Sequence, residues 1–272
     1  MSRTGLVIVI LFLATALASP WLAPYHPRDD TDTALVSPST RHWLGTDDVG
    51  RDILSQVIAG TRVSLAVGFS AGAAATVLGV VVGLLAGYLG GWWDRILMRG
   101  VDFFLAVPRL PLLVVLAAYL GAGLEVIVVS FVLISWAFPA RMIRAQVLVE
   151  KKRAYVTAAK LAGGGRAYIL WKHVLPPLLP LVLVVSIMET SHAVMAEAGL
   201  SFLGLGDPTA ISWGTVLHHA FAFPALFAGS AWLWWALPAG LCLTALLLGL
   251  GLIGMSIERK MDPRLKGGRL AR

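Results

Sequence analysis

The sequence predicts an all-α integral membrane protein with six transmembrane helices and both termini in the cytoplasm. Three observations predict it. Only 14% of the 272 residues are charged while 58% are hydrophobic, which is about half the charged share of a soluble domain. Six apolar runs reach the roughly 20 residues that a membrane-crossing helix needs. Finally, lysine and arginine concentrate between alternate runs, which orients the chain.

The first run covers residues 5–23 of the start "MSRTGLVIVILFLATALAS". It reads either as a retained helix ending at an interfacial Trp21, Pro24 and Tyr25, or as a signal peptide cut after Ala16-Leu17-Ala18. An external loop, Tyr25 to Thr61, follows and carries six aspartates. Within it Gly45-Thr46-Asp47 reads as a turn, and Val49-Gly50-Arg51-Asp52-Ile53 leads into a short helix. Gly45, Thr46, Asp47, Gly50, Arg51 and Asp52 are the candidate contact for an external partner; local turn and cap chemistry is the alternative. Residues 1–63 thus form a first unit, a five-helix core spans 64–257, and a basic tail covers 258–272.

The second run, 64–89, carries Gly68, Gly72, Gly79, Gly83 and Gly87, and the four-residue spacing of the last three permits close helix contact. The third, 101–121, holds Pro108 and Pro111, which kink or break it. A tight Gly121-Ala122-Gly123 hairpin joins it to the fourth, 124–145. The fifth is 174–197 and the sixth 232–256, opened by a belt of Trp232, Trp234 and Trp235. Residues 207–231 make a second external segment, with Trp213, His218, His219, Phe221 and Phe223 expected at the membrane interface.

With both termini inside, the cytoplasmic parts hold 18 of the 22 lysines and arginines, Arg95, Arg99 and Arg109 included. Outside lie only Arg28, Arg41, Arg51 and Arg62. The net charge of +7 is therefore an orientation signal and not a nucleic-acid footprint. Neither a phosphate loop nor a catalytic motif of the H-E-x-x-H or G-x-S-x-G kind appears, and the single cysteine, Cys242, precludes an internal disulfide. No catalytic or metal residue is assigned. What remains is a channel, a passive carrier, or a subunit driven by a partner.

The longest charged interruption is the central loop, about 146–173. Tyr155 to Ala162 reads as a short helix stopped by Gly163-Gly164-Gly165, with adjacent small residues Ala158 and Ala159 that let another surface approach the backbone. Tyr168, Ile169 and Trp171 begin a second amphipathic piece, and Pro176-Pro177 opens the fifth span. This is either a docking element tied to a membrane helix or an ordinary loop.

The loop resembles the EAA loop of binding-protein-dependent ABC importer permeases. That pattern is E-A-A, three residues, Gly, nine residues, I-x-L-P; here it reads Thr157-Ala158-Ala159, Gly163, then His173-Val174-Leu175-Pro176. Thr157 stands in place of the Glu and His173 in place of the Ile. Four further stretches resemble the "C"-type subunit of the dipeptide, oligopeptide and nickel subfamily. They are His42 to Leu65, Gly87 to Pro108, "GLSFLGLG" (Gly199 to Gly206) with Ser212-Trp213-Gly214, and "MDPRL" (Met261 to Leu265). The tail before the first span is shorter than the family's, and "GLIGMSIERKMDPRL" departs from its usual end.

The resemblance implies a type I ABC importer permease in the bacterial inner membrane, moving peptides or, alternatively, nickel or a metal chelate. It implies two ATPase subunits, a second homologous permease and a solute-binding protein as partners. This chain would bind no cofactor, and ATP would be used by the partner subunits. Tyr155, Thr157, Ala158, Ala159, Gly163, His173, Leu175 and Pro176 would form the loop on which the ATPase docks. In the fifth span, at helical periodicity, Glu189 lies about 60° from His192 and about 80° from Glu197, so a shared, fairly wide face can hold all three. They line a substrate path or form a hydrogen-bonded structural cluster.

Overall fold

Helix α2 (Ile53–Leu89) is the axis of the fold, because its glycines let two other helices touch its backbone. A computed structural model describes residues 3–261 and, with α1 (Arg3–Leu22), gives an all-helical chain over those residues. The glycine stripe changes partner along its length. A Cβ on Gly68 or Gly72 would fall within 2.7 Å of Val194 or Thr190, whereas on Gly79, Gly83 or Gly87 it would meet Pro139, Ala140 or Val147. The first pair lies against α9 (Leu175–Phe202) and the rest against α6 (Ala137–Glu150), which continues α5 (Leu124–Ser135).

Those contacts also set directions. Position numbers rise together along α2 and α6 but run opposite along α2 and α9. So α2 and α5–α6 cross the membrane the same way, and the chain between them must cross back. It does so as a broken span, α3 (Gly91–Ala106) and α4 (Arg109–Leu120), bent by 86°. The break falls at Val107-Pro108, where Pro108 lacks the N–H and disfavours a helical residue before it. Among the described residues five helices are long and apolar enough to cross, and the bent pair makes the sixth. α3 climbs antiparallel to α6, Arg144 gripping Asp94 near its start and Arg141 pairing with Asp102 further up. α4 then covers the outer half against α5 and α9, with Leu113 and Ala117 in one apolar cluster with Phe131, Ala196 and Leu200.

Two boundaries and one burial differ from expectation. α2 starts at Ile53, eleven residues before the expected span, because buried Asp52 caps it and nothing between 53 and 63 breaks a helix. The fifth span runs unbroken from Arg166 to Phe202. α8 (Arg166–Ile169) joins α9 through a π turn, Leu170–Val174, in which Leu175 N–H reaches Leu170 O. The wider turn sits where Pro176 and Pro177 withhold their donors. Trp213 and Trp235, expected at the interface, are fully buried. Trp213 starts α10 (Trp213–Ala222), donates Nε1–H to Val57 O at 3.1 Å and meets Phe12 edge-on. Trp235 lies between α11 (Ala231–Trp234) and α12 (Ala236–Met261), in the same cluster. The "MDPRL" stretch after Met261 and the rest of the basic tail lie outside the described residues.

The external loop folds onto itself. Asp47 accepts backbone N–H from Val49 and Arg51 and the Gln56 amide, and Asp52 accepts from Ser55 N–H and Oγ–H while meeting His42 Nδ1 at 2.8 Å. Tyr25 stacks on that imidazole. The expected contact stretch is therefore corrected: Gly45, Thr46, Asp47, Gly50 and Asp52 are buried within the chain, and only Arg51 is half-exposed, paired with Asp30 at 3.2 Å. Turn and cap chemistry took these side chains. Replacing Asp52 by Ala removes the α2 cap and strands His42, a loss of about 1–3 kcal/mol. External protease should then cut the 25–52 segment at least tenfold faster than in the wild type, while the 155–165 segment is cut at an unchanged rate.

Candidate functional site

The cytoplasmic end of the fold carries a short helix, α7 (Ala154–Leu161), one residue offset from the expected Tyr155–Ala162. Its end is a complete Schellman motif: Gly164 N–H reaches Ala159 O and Gly163 N–H reaches Lys160 O, both at 3.0 Å. Gly163 takes φ +84°, and a Cβ there would meet nothing within 4 Å. The position is thus open on its outer side.

Beneath, Val156 is fully buried in one apolar cluster with Leu84, Ile143, Val147, Ile169, Val174 and Leu178, and α7 packs on α8 and the π turn that leads into α9. Thr157 and Ala158 face outward, Ala159 is partly buried, and Leu161, Tyr168 and Trp171 form an exposed apolar rim. Thr157, at the family's Glu position, makes only a long 3.4 Å bond to Arg153 O. The carboxylate at this end comes instead from Glu150, which sequence reasoning missed. It is buried, accepts the Tyr155 hydroxyl and lies 3.8 Å from Arg153. Burial first, and then that bond, push the Tyr155 phenol up to about 12, so it is a neutral donor at any physiological pH. His173 sits between the rings of Tyr155 and Tyr168, and Leu175 and Pro176 open α9 directly behind it.

The second assembly lies in the middle of α9. Glu189 is fully buried, with Oε2 at 3.5 Å from Arg109 Nη1 and 3.8 Å from His192 Nδ1. Arg109 is thereby corrected: it is not a cytoplasmic orientation charge but the first residue of α4, at the break in the third span. The signal for it was an arginine bracketed by Pro108 and Pro111 inside an apolar run. Arg109 and His192 both line a cavity of about 490 Å3 with Leu110, Phe131 and Met195. Glu197 is not brought to them. It faces α2 and α10, accepting Ser64 Oγ–H at 3.0 Å and Ser201 Oγ–H at 2.8 Å, and Ser64 in turn receives Trp213 N–H. It therefore fastens three helices together.

The geometry is that of a multi-pass membrane bundle with a short helix seated at its cytoplasmic end and open on its outer side. The chain belongs to the family of binding-protein-dependent transport system inner membrane components, whose model matches residues 79–267. Members of that family work with an ATPase and a substrate-binding protein, and this chain is a multi-pass inner-membrane permease of an ABC importer. It is 37% identical over 96% of its length to a protein of Brucella suis biovar 1 that bears the name peptide permease, covering 86% of that protein. It is 36% identical over 98% of its length to the glutathione transport system permease protein GsiD of Shigella flexneri serotype 5b, covering 88% of it. Among solved structures, a chain of the MetNI methionine ABC transporter superposes with a TM-score of 0.62 at 20% identity, over 77% of this chain and 98% of that one. That likeness establishes the shared fold.

Proposed function

We propose that the chain is one of two homologous permeases in an importer of short peptides, with two ATPase subunits docking on the 155–176 loop and hydrolysing ATP on its behalf. The observation that carries the substrate class is the near full-length similarity to relatives named for peptides and for glutathione, itself a tripeptide. The docking assignment is supported by α7, whose outer face is open at Gly163 while buried Val156 seats its inner face in an apolar cluster beside the π turn. A push on α7 is handed to α9 through the π turn, and α9 carries Glu189 and His192. The ATP-bound ATPase pair shifts the permease by preferring one position of α7, since only differential affinity moves such an equilibrium. Glu189 and His192 lie on the solute path, whereas Glu197 holds its wall together. The solute-binding protein meets the exposed Trp43, Asp48 and Val49 of the external loop, whose buried neighbours are its scaffold. In this division residues 1–63 dock the binding protein, 64–257 form the path with its coupling loop, and 258–272 stay in the cytoplasm.

The experiment is purification of the tagged chain in mild detergent, identification of what accompanies it, and reconstitution of the whole in liposomes. An ATPase and a second permease should accompany it, and labelled tripeptide should accumulate only with ATP and the binding protein. A chain that purifies alone and passes solute without ATP would overturn the proposal.

A further inference from the structure

Glu189 lies about 20 Å along α9, near the middle of a bilayer's apolar core. Charged groups there are costly, and one held for stability alone is held fully. Two others in this chain are: Asp94 has both oxygens gripped by Arg144, and Glu197 has both oxygens taken by serines. Glu189 is the exception. Its nearest cation, Arg109, is at 3.5 Å and His192 Nδ1 at 3.8 Å, both on Oε2, and its Oε1 is buried with no hydrogen-bond partner among the described residues. A half-satisfied buried carboxylate is a strong acceptor waiting for a donor.

Arg109 presents the opposite charge. It opens α4, so its guanidinium coincides with the positive end of a half-helix, and it stays partly open toward the cavity. The remaining walls, Leu110, Phe131 and Met195 among them, are apolar. Arg109 lines the apolar cavity and the under-satisfied Glu189 carboxylate lies buried directly behind it, so that once the pair parts, the two charges complement a zwitterion with variable side chains.

We propose that Arg109 and Glu189 form a transit site for the charged ends of a peptide, the α-carboxylate taking Arg109 and the α-ammonium taking Glu189. The site reads the ends and leaves the side chains unread. Two or three extended residues span about 7–10 Å, more than the present separation, so the peptide parts the pair as it binds. The break at Val107-Pro108 is where α4 gives way. This rests on the reading of the chain as a peptide importer.

The test uses the whole nucleotide-free transporter in nanodiscs, with Met195→Cys on the cavity wall in a Cys242→Ala background. Labelling of the introduced thiol by a small maleimide is timed with trialanine, trialanine amide or N-acetyl-trialanine. Trialanine should slow labelling, and each blocked peptide should need about tenfold more for the same slowing, the loss expected of one charge-assisted hydrogen bond. Arg109→Gln should make trialanine and its amide equal, and Glu189→Gln should do the same for the acetylated form. ATP-driven trialanine uptake by liposomes is measured alongside. Uptake with protection indifferent to the peptide's ends overturns the charge site. End-dependent protection without uptake overturns the import reading and leaves the site standing, and neither signal overturns both. The comparison of peptides on the unmutated pair holds even if a substitution at Arg109 or Glu189 prevents folding.

Discussion

Gly163→Asp will leave the chain in the membrane at its normal level and abolish ATP-driven uptake. The two halves of that result have separate causes. Gly163 sits at φ +84°, a conformation that Asp tolerates better than most residues, so the substitution strains α7's end by about 1 kcal/mol. Its Cβ points into open space, so no neighbour in the chain must move and Val156 stays seated. The new carboxylate instead stands on the face proposed to receive the ATPase. Desolvating a charge with no partner costs far more than the strain. Uptake and ATPase recovery with the tagged chain should fall together by tenfold or more, while the apparent Tm of the isolated chain moves little. Gly164→Asp is the contrasting variant. A Cβ there lies 2.8 Å from Ala159 O, so it should disturb the isolated chain itself. Normal uptake by Gly163→Asp would show that the outer face of α7 docks nothing.

How much of this was legible in the sequence depended on whether a signal was local. The short helix α7 was, because small residues followed by glycines have a backbone meaning at that spot, and it falls within one residue of its expected limits. The external loop shows the opposite case. Asp47 and Asp52 are equally good caps or partner contacts by composition, and only the burial of His42 and Gln56 around them decides for the caps. Helical periodicity put Glu189 and Glu197 within about 80° of each other, which is one side of an isolated cylinder. In a bundle 80° is enough to face a different neighbour: Glu197 turns to Ser64 of α2 and Glu189 to Arg109 of α4. Arg109 itself was misplaced because counting positive charges assigns each arginine to the nearest boundary. A broken span creates a boundary inside the membrane that such counting does not contain.

The glycine stripe of α2 carries the other large effect, and it reverses the usual sign of a substitution. In an exposed helix position Gly→Ala stabilises by about 1 kcal/mol, because Ala loses less backbone entropy. Gly240 of α12 is half-buried, yet nothing lies within 4 Å of a new Cβ, so the same gain applies and Gly240→Ala should raise the apparent Tm of the detergent-solubilised chain. At Gly72 the same methyl would lie 2.6 Å from Thr190 N and Cα, which are backbone atoms of α9 that no rotamer can move aside. The two helices must separate, loosening Val67, Ala71 and Ala75 from Ala193 and Ala196 along the seam. Overpacking of this kind costs about 1–3 kcal/mol, which exceeds the propensity gain. Gly72→Ala should therefore lower the apparent Tm where Gly240→Ala raises it, and cut the level of chain recovered from membranes several-fold. A rise at both positions would mean that α2 and α9 are not in backbone contact. The same contact fixes α9 antiparallel to α2 and places Glu189 opposite the break in the third span, so the Arg109–Glu189 geometry depends on a residue with no side chain.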